Sequence, residues 1–476
     1  TPLLLAKMDV KVFKGFRFEA YWLKMQGLDD VVARSWNKTL RSCDSVRRLH
    51  TKLARAAKAL RAWDKSIRAA SNLAFNVAIE VIFQLDLAME SRELSEPEWK
   101  LRRFLKAMLL GIAAMERIRW RQRSRINTIK ASDASSKLFH LRANGRRKNH
   151  IPTLRGPQGD VSDHMQKEEI LLDHFKSLLG TPMHERRVLN WDMLRLPSAN
   201  LQSLDAQFTE DEIKAAVFDL HDEKAPGPDG FPAYFYQRHW DVCGEDVTNI
   251  VLRIVKGEES PEAINDTVVV LISKVSNPNL LSQFRPISLC NVLYKIASKV
   301  VANRLKLVLP NIISEEQSAF VPGRMISDNI LIAYDCVHTI RNKRAGRFGL
   351  YVVKLDMHKA YHRVEWTFQK DMMIKLGFHE HFVDMMMACV SSVRYKVRYN
   401  SQETDSFIPT IGIRQGDPLS PYLFLLCAEG LSSLLQFEEE AGGIEGIRVC
   451  RNAPSVSHLL FADDSLILMK ADVLNA

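Results

Sequence analysis

Three aspartates stand where a carboxylate is costly to place. Asp356 lies near the end of the apolar run GLYVVKLDM (349–357), and Asp463 and Asp464 interrupt HLLFADDSLILM (458–469). By composition the first run reads as a buried strand and the second as a hairpin folded about the aspartate pair. Charge at a buried strand end is destabilising unless something pairs with it. Divalent cations are one solution: two Mg²⁺ about 3.5–4 Å apart stabilise both the attacking and the leaving oxygen of an in-line phosphoryl transfer. Mg²⁺ usually takes one or two protein carboxylates and fills its remaining positions with water and phosphate, so three Asp side chains from two segments suffice. Alone, Asp463-Asp464 reads more readily as a polar turn; Asp356 at a second strand end favours the metal reading.

The elements that must position these carboxylates follow from patterning. Residues 1–150 read mostly as helix, with Leu53, Ala57, Leu60 and Trp63 at helical spacing. Residues 151–205 are weakly patterned and read as a linker. Residues 206–476 form a second unit, opened by Thr209 as N-cap and Glu212 three residues on. Strands are expected at 267–275 and 349–357, and helices at 291–309, 327–344 and 422–435, with Ser327 and Ser420 as N-caps.

The composition, 46% apolar and 26% charged, excludes a collagen, a mucin-like stalk and wholesale disorder. Seven scattered cysteines leave no zinc spacing and read as reduced thiols of an intracellular protein. The most apolar stretch is broken by Glu80, Gln84 and Asp86, which argues against a membrane span. The net charge is +10, yet residues 1–150 hold 32 basic and 14 acidic residues. The excess peaks in RIRWRQRSR (117–125) and RANGRRKNH (142–150), where aromatics interleave with the cations. A solvated helix face is the plain reading; the density of charge favours a polyanion, with Arg119, Arg121, Arg123, Arg125, Arg146, Arg147 and Lys148 neutralising phosphates.

Six blocks, in order, then carry a resemblance. FADDS (461–465) resembles the metal-binding box of reverse transcriptases, and KLDMHKAYHRVEW (354–366) resembles the first Asp box of LINE-type non-LTR retrotransposon enzymes, plant ones especially. GIRQGDPLSPYLFLL (412–426) resembles their Gln-Gly box. KAPGPDGFPAYFY (224–236), FRPISLCNVLYKIASKVVANRL (284–305) and QSAFVPGRMISDNI (317–330) resemble the fingers blocks. FRFEAYWL (16–23) and the basic stretch around 120–143 look like the segment between endonuclease and polymerase.

The resemblance implies an α+β right-hand polymerase, with fingers and an antiparallel palm sheet behind a basic helical arm. It implies an RNA-directed DNA polymerase that uses Mg²⁺ or Mn²⁺, an RNA template, a DNA primer and dNTPs, in the nucleus and cytoplasm, with no membrane partner. By position, Asp356, Asp463 and Asp464 hold the metals, with the carbonyl of Met357 as a further oxygen. Tyr361 is the steric gate against a ribose 2′-OH, Gln415 and Gly416 meet the incoming nucleotide, and Lys274 and Arg285 neutralise its triphosphate. Arg324 contacts template or primer backbone. Without the resemblance Tyr361 reads as a core residue and Lys274 as surface charge. His362 departs from the family's usual Asp, and His358 stands where Ser is common; these departures read as decay of an old element copy, expected to act on Tyr361 or on the helix that follows the strand. The expected fragment lacks the endonuclease and the thumb. The alternative readings are a catalytically inactive remnant that only binds RNA, and a maturase-like protein of the group II intron kind.

Overall fold

The computed structural model describes residues 15–40, 44–124, 150–157, 159–180, 189–222, 224–344 and 348–471. Its elements alternate helix and sheet. The N-terminal part holds the helices Leu28–Trp36, Ser45–Ser91 and Glu96–Ser124. Asp44 starts the second of these by accepting hydrogen bonds from the Val46 and Arg47 amides. A ribbon of β1 (Leu154–Gly156) and β2 (Gly159–Val161) and the helix His164–Gly180 follow. The central sheet has the order β4 (Phe284–Cys290), β3 (Asp266–Ser273), β6 (Arg394–Tyr399), β7 (Gln402–Glu403). The last sheet has the order β5 (Gly349–Asp356), β9 (Asp464–Ala471), β8 (His458–Phe461).

The aspartate-bearing sheet is antiparallel throughout, as expected. The central sheet is not: β3 runs antiparallel to β4 but parallel to β6. A parallel neighbour needs a long crossover, and here the chain makes β4, the helix Val292–Ile312 and β5 before returning as β6. The expected single antiparallel sheet is thus replaced by one antiparallel and one mixed sheet.

Other expectations change for local reasons. β5 is not buried: it is an edge strand, and none of its residues is fully covered. Residues 151–205 are more than a linker, because Leu171, Phe175 and Leu179 of the helix His164–Gly180 pack with Val269, Tyr395 and Val397 of the mixed sheet. One core runs from Trp36, Leu49 and Leu60 of the N-terminal helices to Phe235, Ile250 and Leu305, so these helices share their packing with the second unit. The helix Ser45–Ser91 also contains an 18-residue window of mean hydropathy 1.3, apolar enough by length and composition to cross a membrane. In the fold it pairs with the helix Glu96–Ser124, and Arg102 meets Asp86 at 2.7 Å.

The helix starts show how side chains decide boundaries. Thr209 and Glu212 form the expected reciprocal cap of the helix Glu210–Phe218. Glu212 is held further by Arg304, whose guanidinium reaches its two oxygens at 2.7 and 2.8 Å and lies 3.6 Å over the Phe208 ring. Ser327 and Ser420 are not N-caps. The helices begin at Ile326 and Ser420, where Asp328 accepts from the Met325 amide and Asp417 from the Leu419 amide. The caps are Met325 and Leu419, two residues and one residue earlier than expected. Of the described cysteines, Cys243, Cys290, Cys336 and Cys389 are buried thiols, Cys427 is half-buried and Cys450 exposed.

His239 ties core packing to pH. Its ring sits against Phe235 at 5.1 Å and is 3% exposed. Burial pulls its pKa down to about 4, against the opposing charge of Asp29 and with help from Arg238. The unfolded chain therefore binds the proton first, so this stabilisation is complete above pH 6.5 and is lost as pH falls toward 4. Between pH 7 and 5 the wild type is expected to lose about 1–2 kcal/mol more stability than His239→Gln, read from denaturant midpoints at each pH.

Candidate active site

The central geometric fact is a strand register. β5 and β9 pair along their whole length, from Gly349 opposite Ala471 to Asp356 opposite Asp464. Directly opposed residues share a face, with Cβ atoms about 4.5–5.5 Å apart. The same face carries Leu350, Val352 and Leu468, which pack with Cys336 of the helix Ile326–Asn342. One face is thus apolar at one end and acidic at the other. Asp463 stands beside the pair, in the two-residue connection between Phe461 and Asp464. Both Asp356 and Asp464 are exposed, so the cost of burial that first singled out Asp356 does not apply. What is unfavourable is the gathering of like charges.

That gathering has one cationic neighbour on β5. The Lys354 ammonium lies 3.1 Å from the Asp464 carboxylate, on the face that Lys354 and Asp356 share. Among the described residues no cluster of three or more His, Cys, Asp or Glu side chains closes into a cage around one ion. The donor chemistry nonetheless fits Mg²⁺, a hard cation content with one or two carboxylates plus substrate and water oxygens. The Met357 carbonyl accepts from the Ala360 amide at 3.3 Å, which leaves its second lone pair.

Tyr361 lies in the short turn Ala360–Arg363 after β5. Its ring stacks on Phe424, with centroids 5.3 Å apart and planes within 6°. Its carbonyl accepts from the Ile413 amide at 2.8 Å, joining this turn to the Gln-Gly loop. Burial, and then the charge of Asp463, push its pKa up to about 12, so the hydroxyl stays a donor beside that carboxylate. His362 does not displace the ring. Burial, Lys359 and His174 pull its pKa down to about 4, so a neutral imidazole stands where the family has a carboxylate.

The loop bearing Gln415 and Gly416 is strapped to β4 through the Ser288 amide, which donates to the Gln415 carbonyl at 3.1 Å. Gly416 has φ 109°, and a Cβ there would come 3.3 Å from the Ser288 carbonyl. Only glycine suits that conformation and approach. The neighbouring Arg414 anchors the loop: buried, it pairs with Asp417 at 3.0 Å, donates to the Cys389 carbonyl at 2.9 Å and lies 3.8 Å over Tyr294.

Lys274 and Arg285 are both exposed, the first directly after β3 and the second on β4. Lys274 also donates to the Ser282 carbonyl at 3.2 Å. Sequence reasoning missed two cations that belong with them. Lys359, at φ 55°, has its pKa lowered by burial and then by the charges of Arg363 and Lys274. The signal was present in KAYHR (359–363), with a cation on each side of the gate, but spacing alone does not aim them.

Two nucleic-acid assignments meet a different geometry. Arg324 turns inward, its guanidinium donating to the carbonyls of Ser314 (2.5 Å), Gln317 (2.8 Å), Ile313 (2.8 Å) and Pro310 (3.4 Å). Its role here is to organise protein backbone. Arg119 and Arg121 are half-buried, and Arg119 pairs with Glu116 at 3.2 Å. Their neighbour Gln122 bonds Ala20 and Phe18 at 2.7 and 3.1 Å, pinning this stretch to the body. The side chain of Arg123 and the residues Arg125, Arg146, Arg147 and Lys148 lie outside the described residues.

Known proteins bear on this geometry. Residues 272–473 match the family model described as reverse transcriptase (RNA-dependent DNA polymerase). The chain is 33% identical over 247 residues to an uncharacterized 149 kDa protein of the TX1 transposon of Xenopus laevis, covering 52% of this chain and 19% of that protein. It is 25% identical over 307 residues to a retrovirus-related Pol polyprotein from a type-2 retrotransposable element of Drosophila melanogaster, covering 64% and 27%. It is also 60% identical over 57 residues to an uncharacterized mitochondrial protein of Arabidopsis thaliana, covering 12% and 47%. The chain thus spans less than half the length of each of these relatives. The family implies a palm-and-fingers polymerase fold, which accounts for the paired aspartates and for the loops that frame them. Residues 272–473 thus match the reverse transcriptase family, and two of the similar proteins are products of a transposon and of a retrotransposable element.

Proposed function

We propose that the chain is the polymerase module of a non-LTR retrotransposon, copying an RNA template into DNA from a primer inside the cell, in nucleus and cytoplasm. The observation that carries the reading is the pairing of Asp356 with Asp464 in register, with Asp463 at the adjoining turn. The primer 3′-oxygen forms a bond to the α-phosphorus of a dNTP while the bond to the β-phosphate oxygen breaks, releasing pyrophosphate. Mg²⁺ or Mn²⁺ held by Asp356, Asp463, Asp464 and the Met357 carbonyl would neutralise charge on the reacting oxygens.

The remaining work falls to the chain itself, as positioning and electrostatic stabilisation. Tyr361 is held flat by Phe424 and by its backbone bond to Ile413, so its ring is a fixed wall against a ribose 2′-OH. Gln415 and the exposed Gly416 backbone face the incoming nucleotide, on a loop that Arg414 makes rigid. Lys274, Arg285, Lys359 and Arg363 form the cationic side toward the triphosphate. Lys359 gains most from such a ligand, since burial and like charges disfavour its protonated form. The basic arm grips RNA through its phosphates, with an affinity that falls steeply with salt.

Primer extension on an RNA template with Mg²⁺ tests the reading. Asp464→Asn is expected to lose roughly 10³-fold or more in rate, matching the several kcal/mol of charge stabilisation at a catalytic ion, while RNA gel shifts are unchanged. A wild type that shifts RNA yet makes no product would mark an inactive remnant instead. Tyr361→Ala is expected to keep dNTP incorporation and to raise relative ribonucleotide incorporation about 10- to 100-fold, read by extension with dNTP and rNTP in competition. Unchanged discrimination would return Tyr361 to the role of a core side chain.

A further inference from the structure

The turn that presents Asp463 and Asp464 is built on an unfavourable backbone. Ala462 has φ 53°, a left-handed conformation that a side-chain-bearing residue adopts only when its surroundings fix it. One side chain does the fixing. Gln317, 1% exposed, lies behind the hairpin, and its Oε1 accepts the Ala462 amide at 2.9 Å and the Ala319 amide at 3.0 Å. Two N–H donors on one atom settle which end of the amide faces the turn. The surrounding backbone repeats the attachment: Leu460 donates to the Glu316 carbonyl at 2.8 Å, and the Ser318 amide to the Leu460 carbonyl at 3.2 Å. Gln317 thereby forms a short parallel bridge with Leu460.

The segment carrying Gln317 has its own anchor. The four carbonyls gathered by Arg324 belong to Pro310, Ile313, Ser314 and Gln317 itself. A planar fork suits several oxygens at once. On the other side, the Glu429 carboxylate accepts the Ser314 amide and hydroxyl, each at 3.0 Å. A continuous set of bonds therefore runs from Arg324 through residues 313–317 to the Ala462 amide, next in the chain to Asp463. The Gln317 Nε2 is buried and makes no hydrogen bond among the described residues, so its oxygen is the part in use.

We infer that Gln317 is a positioning residue for the metal-binding turn, holding Ala462 so that Asp463 and Asp464 stand ready beside Asp356, with Arg324 setting Gln317. The inference deepens the proposed polymerase reading and rests on it for its catalytic consequence. Its structural part is read without any metal, by hydrogen–deuterium exchange of the peptide carrying the Ala462 amide. Gln317→Leu removes the acceptor at similar volume and is expected to speed that exchange about 10-fold or more, while exchange in β3 is unchanged. In primer extension the same variant is expected to lower kcat about 10- to 100-fold, the usual effect of removing a group that orients metal ligands. It should raise the Mg²⁺ concentration for half-maximal rate and leave the dNTP KM unaltered. Gln317→Glu keeps an acceptor oxygen in either protonation state and is expected to recover most of both effects. Arg324→Lys, which keeps the charge but loses the fork, is expected to speed the same exchange by a smaller factor, and it serves if Gln317→Leu does not fold. Unchanged exchange at Ala462 in both Gln317→Leu and Arg324→Lys overturns the inference, as does a Gln317→Glu variant no better than Gln317→Leu. Faster exchange in a chain whose wild type makes no product upholds the positioning role and removes the polymerase reading alone.

Discussion

Everything in the candidate site depends on the alignment of two strands far apart in the chain. β5 and β9 meet over eight residue pairs, and the last of these sets Asp356 against Asp464. A slip of one residue would turn Asp464 to the opposite face. The apolar end of the sheet resists that slip. Leu350, Val352 and Leu468 pack with Cys336, and moving them outward would expose them. The hairpin partner β8 adds a second constraint, since its residues are paired with β9 and tied to residues 316–318 at the same time. The apolar half of the face thus determines where the acidic half stands.

The carboxylates were legible in the sequence because they interrupt apolar runs. The hairpin and the strand ending at Asp356 both form, and Thr209 with Glu212 caps its helix as the spacing implies. Other features depend on partners that a local reading does not contain. The helices expected to be capped by Ser327 and Ser420 start earlier, after Met325 and Leu419, whose amides are held by the Asp328 and Asp417 carboxylates. The parallel pairing of β3 with β6 joins segments that are separated by two strands and four α-helices, so no local pattern announces it. Leu171, Phe175 and Leu179 looked like part of a weak linker until the mixed sheet supplied the surface they cover.

Charge was the least transparent property. A count of cations states how many there are and not where each guanidinium points. Arg324 looked like a backbone-phosphate contact and proves to gather protein carbonyls. Arg414 in the Gln-Gly loop is buried between Asp417 and Tyr294. Lys359, which carried no expectation, shares its surroundings with Lys274 and Arg363. His362 replaces an acid, yet burial keeps it neutral and Tyr361 stays stacked on Phe424.

The central claim is that Asp356 and Asp464 act together on a divalent cation. Mn²⁺ binding followed by electron paramagnetic resonance, on the wild type, Asp356→Asn, Asp464→Asn and the double variant, addresses it without any nucleic acid. The account predicts that each single substitution weakens binding by at least about tenfold and that the double variant loses little more, the coupling expected of side chains sharing one ligand. Losses that simply multiply, or Mn²⁺ binding indifferent to both substitutions, would contradict it.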